Sequence, residues 1–157
     1  KKITKILVSH LKLRNNVIVH RDFHVSNLML FHDKLGVIDS QDALIGNKAY
    51  DLASLIDDVR FKTSSSFKNQ VYKMYTNKQK ITNKDKFKND FEILSILRNL
   101  KIIGIFTRLS KRDGKKNYLK LIPYAWKLIN LRINNNKVFI DLKDLLKKNF
   151  RGKINEN

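Results

Sequence analysis

Three oxygen-bearing side chains near the start of the 157-residue chain could together do chemistry: Asp22, Asn27 and Asp39. A carboxylate at Asp22 could orient an acceptor hydroxyl and accept its proton as a general base. Asn27 precedes a predicted β-hairpin and Asp39 ends it, so their side chains should lie side by side. Oxygen donors without Cys or paired His favour Mg²⁺ over zinc. The set therefore predicts metal-assisted phosphoryl transfer, in which positioning and charge neutralisation do most of the work.

The sequence around these residues resembles a known catalytic loop. His20-Arg21-Asp22, followed after four intervening residues by Asn27, is the H-R-D-x-x-x-x-N pattern of kinases. With His24 included, the string is similar to the loop of the aminoglycoside phosphotransferase superfamily. The resemblance implies a kinase-like carboxyl-terminal lobe that uses ATP and Mg²⁺, with Asp22 as base and with Asn27 and Asp39 as metal ligands. The alternative is that these are ordinary polar loop residues.

Further residues have predicted supporting or binding roles. His20 and Arg21 belong to the loop itself, and by the resemblance Asp51 would accept hydrogen bonds from the loop backbone. A carboxylate in the first turn of a helix is favourable in any case, so simple helix stabilisation is the alternative for Asp51. His24 is expected either to contact substrate or phosphate, or to brace the loop. Gln41 and Asp42 follow the metal Asp, where they could reach a sugar hydroxyl or could be solvated.

The longer context narrows the resemblance. The stretches 41–43 and 104–114 are similar to the bacterial anomeric sugar kinases, which phosphorylate N-acetylmuramate and N-acetylglucosamine at C1. This implies a sugar acceptor and a role in cell-wall recycling. The alternatives are another acceptor alcohol, namely an aminoglycoside, choline or homoserine, or an inactive truncated lobe. Three positions depart from the superfamily pattern: Ser40 replaces an aromatic residue, and Val25 and Asn47 replace prolines.

The sequence also indicates how much of a kinase-like protein the chain contains. We expect residues 1–150 to form one catalytic lobe and 151–157 to be a frayed tail. No Gly-rich loop followed by a strand Lys precedes His20, so we expect the chain to be the carboxyl-terminal part of a longer protein whose ATP-clamping amino-terminal lobe is absent here. No apolar run is long enough to span a membrane, and there is no signal-peptide pattern. The absence of cysteine fits a cytoplasmic protein.

The formal net charge of +19 raises the alternative of a nucleic-acid-binding module. The basic residues, however, are scattered along the chain and accompany an excess of Asn and Ile, as in a protein encoded by an AT-rich genome. Attraction of an anionic substrate such as ATP is a second use of the same field. We therefore do not expect nucleic acid to be the partner.

Apolar spacing predicts an α+β fold that is mostly helical and carries a small hairpin. The predicted helices cover 2–13, 52–59, 64–76, 90–110 and 138–150, with a further helical pattern over 119–129 that Pro123 either kinks or starts. The predicted strands cover 17–19, 28–31 and 36–38, and 41–48 is predicted to be loop. The apolar helix over 90–110 has two apolar faces and should be buried at the centre of the domain.

Overall fold

The computed structural model of the protein describes residues 2–155 and has the predicted α+β fold, dominated by helices. In chain order the elements are α1 (Lys2–Ser9), β1 (Asn15–Val19), β2 (Leu28–Phe31), β3 (Lys34–Val37), β4 (Leu44–Asn47), α2 (Tyr50–Ile56), α3 (Ser65–Lys78), α4 (Lys84–Asp113), α5 (Ile122–Ile133) and α6 (Ile140–Asn149). Short 3-10 turns cover Val25–Asn27, Lys116–Leu121 and Lys137–Phe139. No helix within residues 2–155 is long and apolar enough to cross a bilayer.

Two small antiparallel sheets carry the loops of interest. Strand β2 pairs with β3 as the predicted hairpin, and β1 pairs with β4. The prediction of loop over 41–48 was wrong, because Leu44–Asn47 closes against β1 with Leu44 opposite Val19. Gly46 permits this close approach, since a Cβ added there would lie 2.5 Å from a methyl carbon of Val19. The short strand has no alternating pattern, which is why periodicity missed it.

The hairpin turns at His32 and Asp33, whose φ angles of 43° and 57° are those of a two-residue turn with a left-handed backbone. Strand β3 consequently begins at Lys34 rather than at the predicted Gly36. Successive side chains of a strand point to opposite faces, yet both Leu30 and Phe31 are more than 70% exposed, at 73% and 72%. Neither face of the hairpin therefore packs on the body of the protein.

Helix α4 is the centre of the core, as predicted, but it is longer than its apolar pattern. The Asn83 side chain caps its start by accepting a hydrogen bond from the Lys86 N–H, and Gly114, with φ of +66°, ends it in a left-handed conformation. Three clusters of buried apolar side chains form around it. Each cluster contains residues of this helix: Ile93 and Ile96 in the first, Phe87, Phe91 and Leu94 in the second, Ile102 and Phe106 in the third.

A buried carboxylate joins helices at the centre of the molecule. Asp57 is fully buried; it accepts hydrogen bonds from Ser95 Oγ at 2.6 Å and from Arg132 Nε at 3.0 Å. The ammonium group of Lys68, itself buried, lies 3.4 Å from the same carboxylate and also donates to the Ile56 carbonyl. One carboxylate thus pairs with two cations that come from α3 and α5, next to α4.

Both ends of the chain differ from prediction. Helix α1 ends at Ser9 instead of Leu13, because the N–H groups of Lys12 and Leu13 donate to the buried carboxylate of Asp90, at 2.7 and 2.9 Å, rather than continuing the helix. At the other end, the expected fraying does not hold for Ile154, which is buried in the first core cluster. Residues 156 and 157 of the predicted tail lie outside the described residues.

Candidate active site

The loop that follows β1 is held by a carboxylate from the start of α2. The Asp51 side chain accepts hydrogen bonds from the backbone N–H of His20, at 2.7 Å, and from that of Arg21, at 3.1 Å. Arg21 has a φ of 72°, a left-handed conformation that is costly for a residue with a side chain. The two bonds to Asp51 compensate for this strain and fix the direction in which the chain enters Asp22.

A second set of bonds ties the loop to the hairpin. His20 Nε2 lies 2.9 Å from the carbonyl oxygen of Ile38, and because a carbonyl can only accept, this ring nitrogen carries the proton. The Ile38 N–H donates in turn to the Asn27 carbonyl at 3.0 Å. The residue before Asp39 is thus fixed from both sides, and Asp39 itself adopts a left-handed backbone with φ of 68°.

These contacts bring the three predicted site residues together. The Asn27 amide nitrogen donates to the backbone carbonyl of Asp22 at 2.9 Å and lies 3.4 Å from Oδ2 of Asp39. Because its nitrogen is engaged by the Asp22 carbonyl, the amide oxygen of Asn27 is the atom left for a ligand. Asn27 is buried, whereas Asp39 is exposed at the end of the hairpin.

The pair fits a magnesium site that is completed by a substrate. Among the described residues no group of three His, Cys, Asp or Glu side chains is arranged to hold a metal on its own. Magnesium is commonly bound by one or two protein oxygens plus substrate phosphates, and an amide oxygen beside a carboxylate offers such a pair. When bound, Mg²⁺ would be held by Asn27 and Asp39 and would neutralise phosphate charge.

Asp22 also lines a pocket. The pocket has a cavity volume of about 70 Å³. Its lining is Arg21, Asp22, Tyr50, Arg60, Arg98, Lys101, Ile102, Ile105 and Phe106. Asn27 and Asp39 are outside this lining, so the pocket and the metal pair are separate parts of the site. A hydroxyl entering the pocket can reach Asp22 without displacing the metal ligands.

The three residues predicted to contact substrate occupy different environments. His24 is buried; burial lowers the pKa of its imidazole and the Arg60 guanidinium lowers it further, while the Asp58 carboxylate opposes both. Gln41 and Asp42 are exposed and do not line the pocket beside Asp22. The Asp42 carbonyl accepts a long hydrogen bond from Arg21 Nη1 at 3.4 Å. Their roles in substrate binding stay predictions.

Several residues around the site were not anticipated from the sequence. Asp58 and Arg98 place buried charge next to the loop, and the exposed Arg60 pairs with Asp58. The available signal was a lone Arg98 within the apolar face of α4. Asn47, noted above only for replacing a proline, is buried. It donates to Asp90 at 2.7 Å and accepts from the Ala49 N–H at 3.0 Å. A proline could make neither bond, so this departure has a structural reason.

Comparison with known proteins agrees with this geometry. Residues 2–84, more than half of the chain, match the model of the phosphotransferase enzyme family, which contains the aminoglycoside phosphotransferases, and the chain belongs to this family.

Similar proteins within the family include the N-acetylmuramate/N-acetylglucosamine kinase of Neisseria meningitidis, 40% identical over 74% of this chain and 37% of that protein. The kinase of the same name from Pseudomonas aeruginosa is 30% identical over 93% of this chain and 45% of its own length. A third, from Caulobacter vibrioides, is 32% identical over 70% of this chain and 32% of its own length. The chain thus spans less than half the length of these relatives.

Proposed function

We propose that this chain is the catalytic lobe of an ATP-dependent kinase that phosphorylates the anomeric hydroxyl of an amino sugar, N-acetylmuramate or N-acetylglucosamine. The observation that carries the proposal is the position of Asn27, whose amide joins the backbone of Asp22 to the carboxylate of Asp39. The sugar is suggested by the names of the similar kinases. A cytoplasmic location and a role in recycling cell-wall sugars are part of the same proposal.

In this reaction Asp22 orients the acceptor hydroxyl and accepts its proton as the oxygen approaches the terminal phosphorus of ATP. The new O–P bond forms while the bond between the β,γ-bridging oxygen and the terminal phosphorus breaks, and ADP leaves. Asp51 and His20 hold the loop and the hairpin so that Asp22 keeps its distance from the metal pair. The position of Asp22 matters for the rate, because a displacement of about 1 Å can lower it roughly 10²-fold.

The proposed kinase needs a second lobe to clamp the nucleotide. Phosphoryl transfer requires neutralisation of charge from more than one side of the phosphates, which kinases achieve with a Gly-rich loop and a strand Lys. The exposed apolar side chains of β2 and β3 fit a surface on which such a lobe would rest. Without it, ATP would lie on an open and wet surface, where electrostatic stabilisation is weak.

The test is a phosphate-transfer assay on the chain alone and on the chain preceded by an amino-terminal lobe, either its own or one fused from a similar kinase. We expect the two-lobe protein to phosphorylate N-acetylmuramate or N-acetylglucosamine and the chain alone to be inactive. An equal rate from the chain alone would refute the need for a second lobe. A two-lobe protein that phosphorylates an aminoglycoside, choline or homoserine but neither sugar would overturn the acceptor and leave the catalytic assignments standing.

A further inference from the structure

The pocket beside Asp22 is strongly cationic. Its lining includes four cationic side chains, those of Arg21, Arg60, Arg98 and Lys101. Among the described lining residues Asp22 supplies the one carboxylate. A second carboxylate, Asp58, is fully buried next to it and is partly neutralised by Arg60, whose Nη1 lies 3.2 Å from Asp58 Oδ1. The two carboxylates do not balance the four cations. The pocket therefore attracts a ligand that brings negative charge.

Arg98 is the member of this set with the least access to water. It comes from α4, and only 6% of its surface is exposed. Burial lowers the pKa of its guanidinium, which nevertheless stays charged, and Asp58 opposes that shift. Among the described residues its Nη1 has no hydrogen-bond partner. A buried charged donor without an acceptor is costly and rare in native proteins, and it indicates a missing partner.

Two residues near Arg98 also have a buried polar atom without a hydrogen-bond partner. Asp58 Oδ2 and His24 Nδ1 are also buried and unpartnered in the described part of the chain. Both groups interact electrostatically with Arg98: against the effect of burial, the Asp58 carboxylate raises the pKa of Arg98, and in addition to burial, the Arg98 guanidinium lowers the pKa of His24. Polar atoms left unsatisfied together beside one pocket are what a site shows when its ligand is absent.

The position of the pocket assigns this ligand to the acceptor rather than to the nucleotide. The metal pair, where the phosphates would bind, is not part of the pocket, whereas the carboxylate proposed to receive the acceptor's proton is. Ile102, Ile105 and Phe106 line the same pocket and offer apolar contact to the carbon skeleton of a sugar derivative. The anionic group must then belong to the molecule that is phosphorylated.

We propose that Arg98, assisted by Arg60, binds a carboxylate carried by the acceptor, and that this contact makes an acidic sugar the preferred substrate. The proposal rests on the function proposed above and names its specificity residue. N-acetylmuramate is N-acetylglucosamine with a lactyl ether on O3, so the two differ by this one carboxylate-bearing group. The planar fork of a guanidinium matches a carboxylate with two parallel hydrogen bonds, which an ammonium cannot reproduce.

The test measures binding to the 157-residue chain by calorimetry, without ATP. The ligands are N-acetylmuramate, its neutral methyl ester and N-acetylglucosamine. A charge-assisted contact predicts that the acid binds roughly 10- to 100-fold more tightly than the ester or N-acetylglucosamine. Arg98→Met should reduce this ratio to about one. Arg14→Met removes an exposed arginine outside the pocket and should leave the ratio unchanged.

Circular dichroism establishes that each variant is folded. If Arg98→Met does not fold, Arg98→Lys keeps the charge without the fork and should lower the ratio without abolishing it. Equal affinity of the wild-type chain for the three ligands would overturn the proposal, as would an unchanged preference in a folded Arg98→Met or no binding of any of them at millimolar concentration. Because no phosphate is transferred in this experiment, failure of the kinase assay would leave a measured preference for the acid standing, and the two proposals can fail separately.

Discussion

The carboxylate of Asp51 lies 2.7 Å from the backbone nitrogen of His20, across the gap between helix α2 and the loop that carries Asp22. Replacing it, by Asp51→Ala, removes the acceptor for that N–H and for the N–H of Arg21, whose backbone is strained. We expect kcat of the two-lobe protein to fall by about 10²-fold through misplacement of the loop. Hydrogen exchange at His20 and Arg21 should accelerate in the same variant.

Asp144→Ala, an exposed change on α6, is the matched control for Asp51→Ala and should alter neither measurement. If Asp51→Ala leaves both the rate and the protection of these amides unchanged, Asp51 only stabilises the start of α2.

Asp22→Asn removes the proposed base while keeping the size of the side chain. In the two-lobe protein kcat should fall by about 10²-fold or more, the usual scale of general acid–base catalysis. The affinity for ATP should change little, since Asp22 lines the pocket and is not one of the proposed metal ligands. Near wild-type turnover of the sugar would show that Asp22 is not the base.

If Asn27 and Asp39 hold the metal, replacing each should reduce turnover and metal binding to a different extent. Asp39→Ala should abolish turnover and weaken binding of Mg²⁺-ATP, because it removes the charged ligand. Asn27→Ala should do so less severely, because it removes a neutral oxygen. Titration of Mn²⁺ in the presence of ATP, followed by its paramagnetic effect on water, measures the metal directly. Exposed Asp33→Asn, in the turn of the hairpin, is the control, and equal metal affinity in all three variants would contradict the assignment.

Asp57 should matter for stability rather than for chemistry. Asp57→Ala leaves the buried Lys68 and the mostly buried Arg132 without their counter-ion, and loss of one partner of a buried ion pair typically costs about 3–5 kcal/mol. Urea unfolding of the 157-residue chain measures this. Asp144→Ala, which is exposed, should cost little, and a loss for Asp57→Ala as small as that of the control would show that the network stabilises nothing.

Glu92 makes stability depend on pH. Its burial raises the pKa of the carboxyl, and the hydrogen bond from Asn135 only partly offsets this. The folded state therefore holds the proton to higher pH than the unfolded state, and the free energy of unfolding falls as pH rises from about 4.3, the ordinary carboxyl value, through the raised pKa.

We expect Glu92→Gln to increase the free energy of unfolding at pH 7 and to have little effect at about pH 3, well below the ordinary carboxyl pKa, where the carboxyl is protonated in both states. Thermal unfolding across this pH range checks the difference, with Asp144→Asn as the exposed control. A variant less stable than the wild type at pH 7 would show that the charged form of Glu92 is the favoured one.

Predictions from the sequence succeeded where local patterns carry the information. The apolar periodicity of α4 and the turn residues of the hairpin are local, and both elements form. Contacts between distant parts of the chain were missed: the pairing of β4 with β1, and the capture of the Lys12 and Leu13 amides by Asp90. Short segments of this kind take their structure from a partner, so no pattern within them indicates it.

The same limit applies around the candidate site. The spacing of Asp22 and Asn27 follows from the needs of phosphoryl transfer, and the structure places the two residues together. The pocket beside Asp22 depends instead on Arg98, which lies far along the chain and reaches the loop only through the packing of α4 against α2. Whether a charge is buried depends on how the helices pack. A single Arg in an apolar helix therefore does not reveal which part of the protein its side chain will face.

The exposed hairpin β2–β3 also governs how the isolated chain behaves in solution. Its exposed apolar side chains favour association between molecules, while the net charge of +19 makes the molecules repel one another. Repulsion is screened within about 10 Å at an ionic strength of 0.1 M and within about 3 Å at 1 M, whereas apolar attraction is not weakened by salt. We therefore expect the chain to stay monodisperse in dilute buffer and to self-associate through the hairpin in concentrated salt.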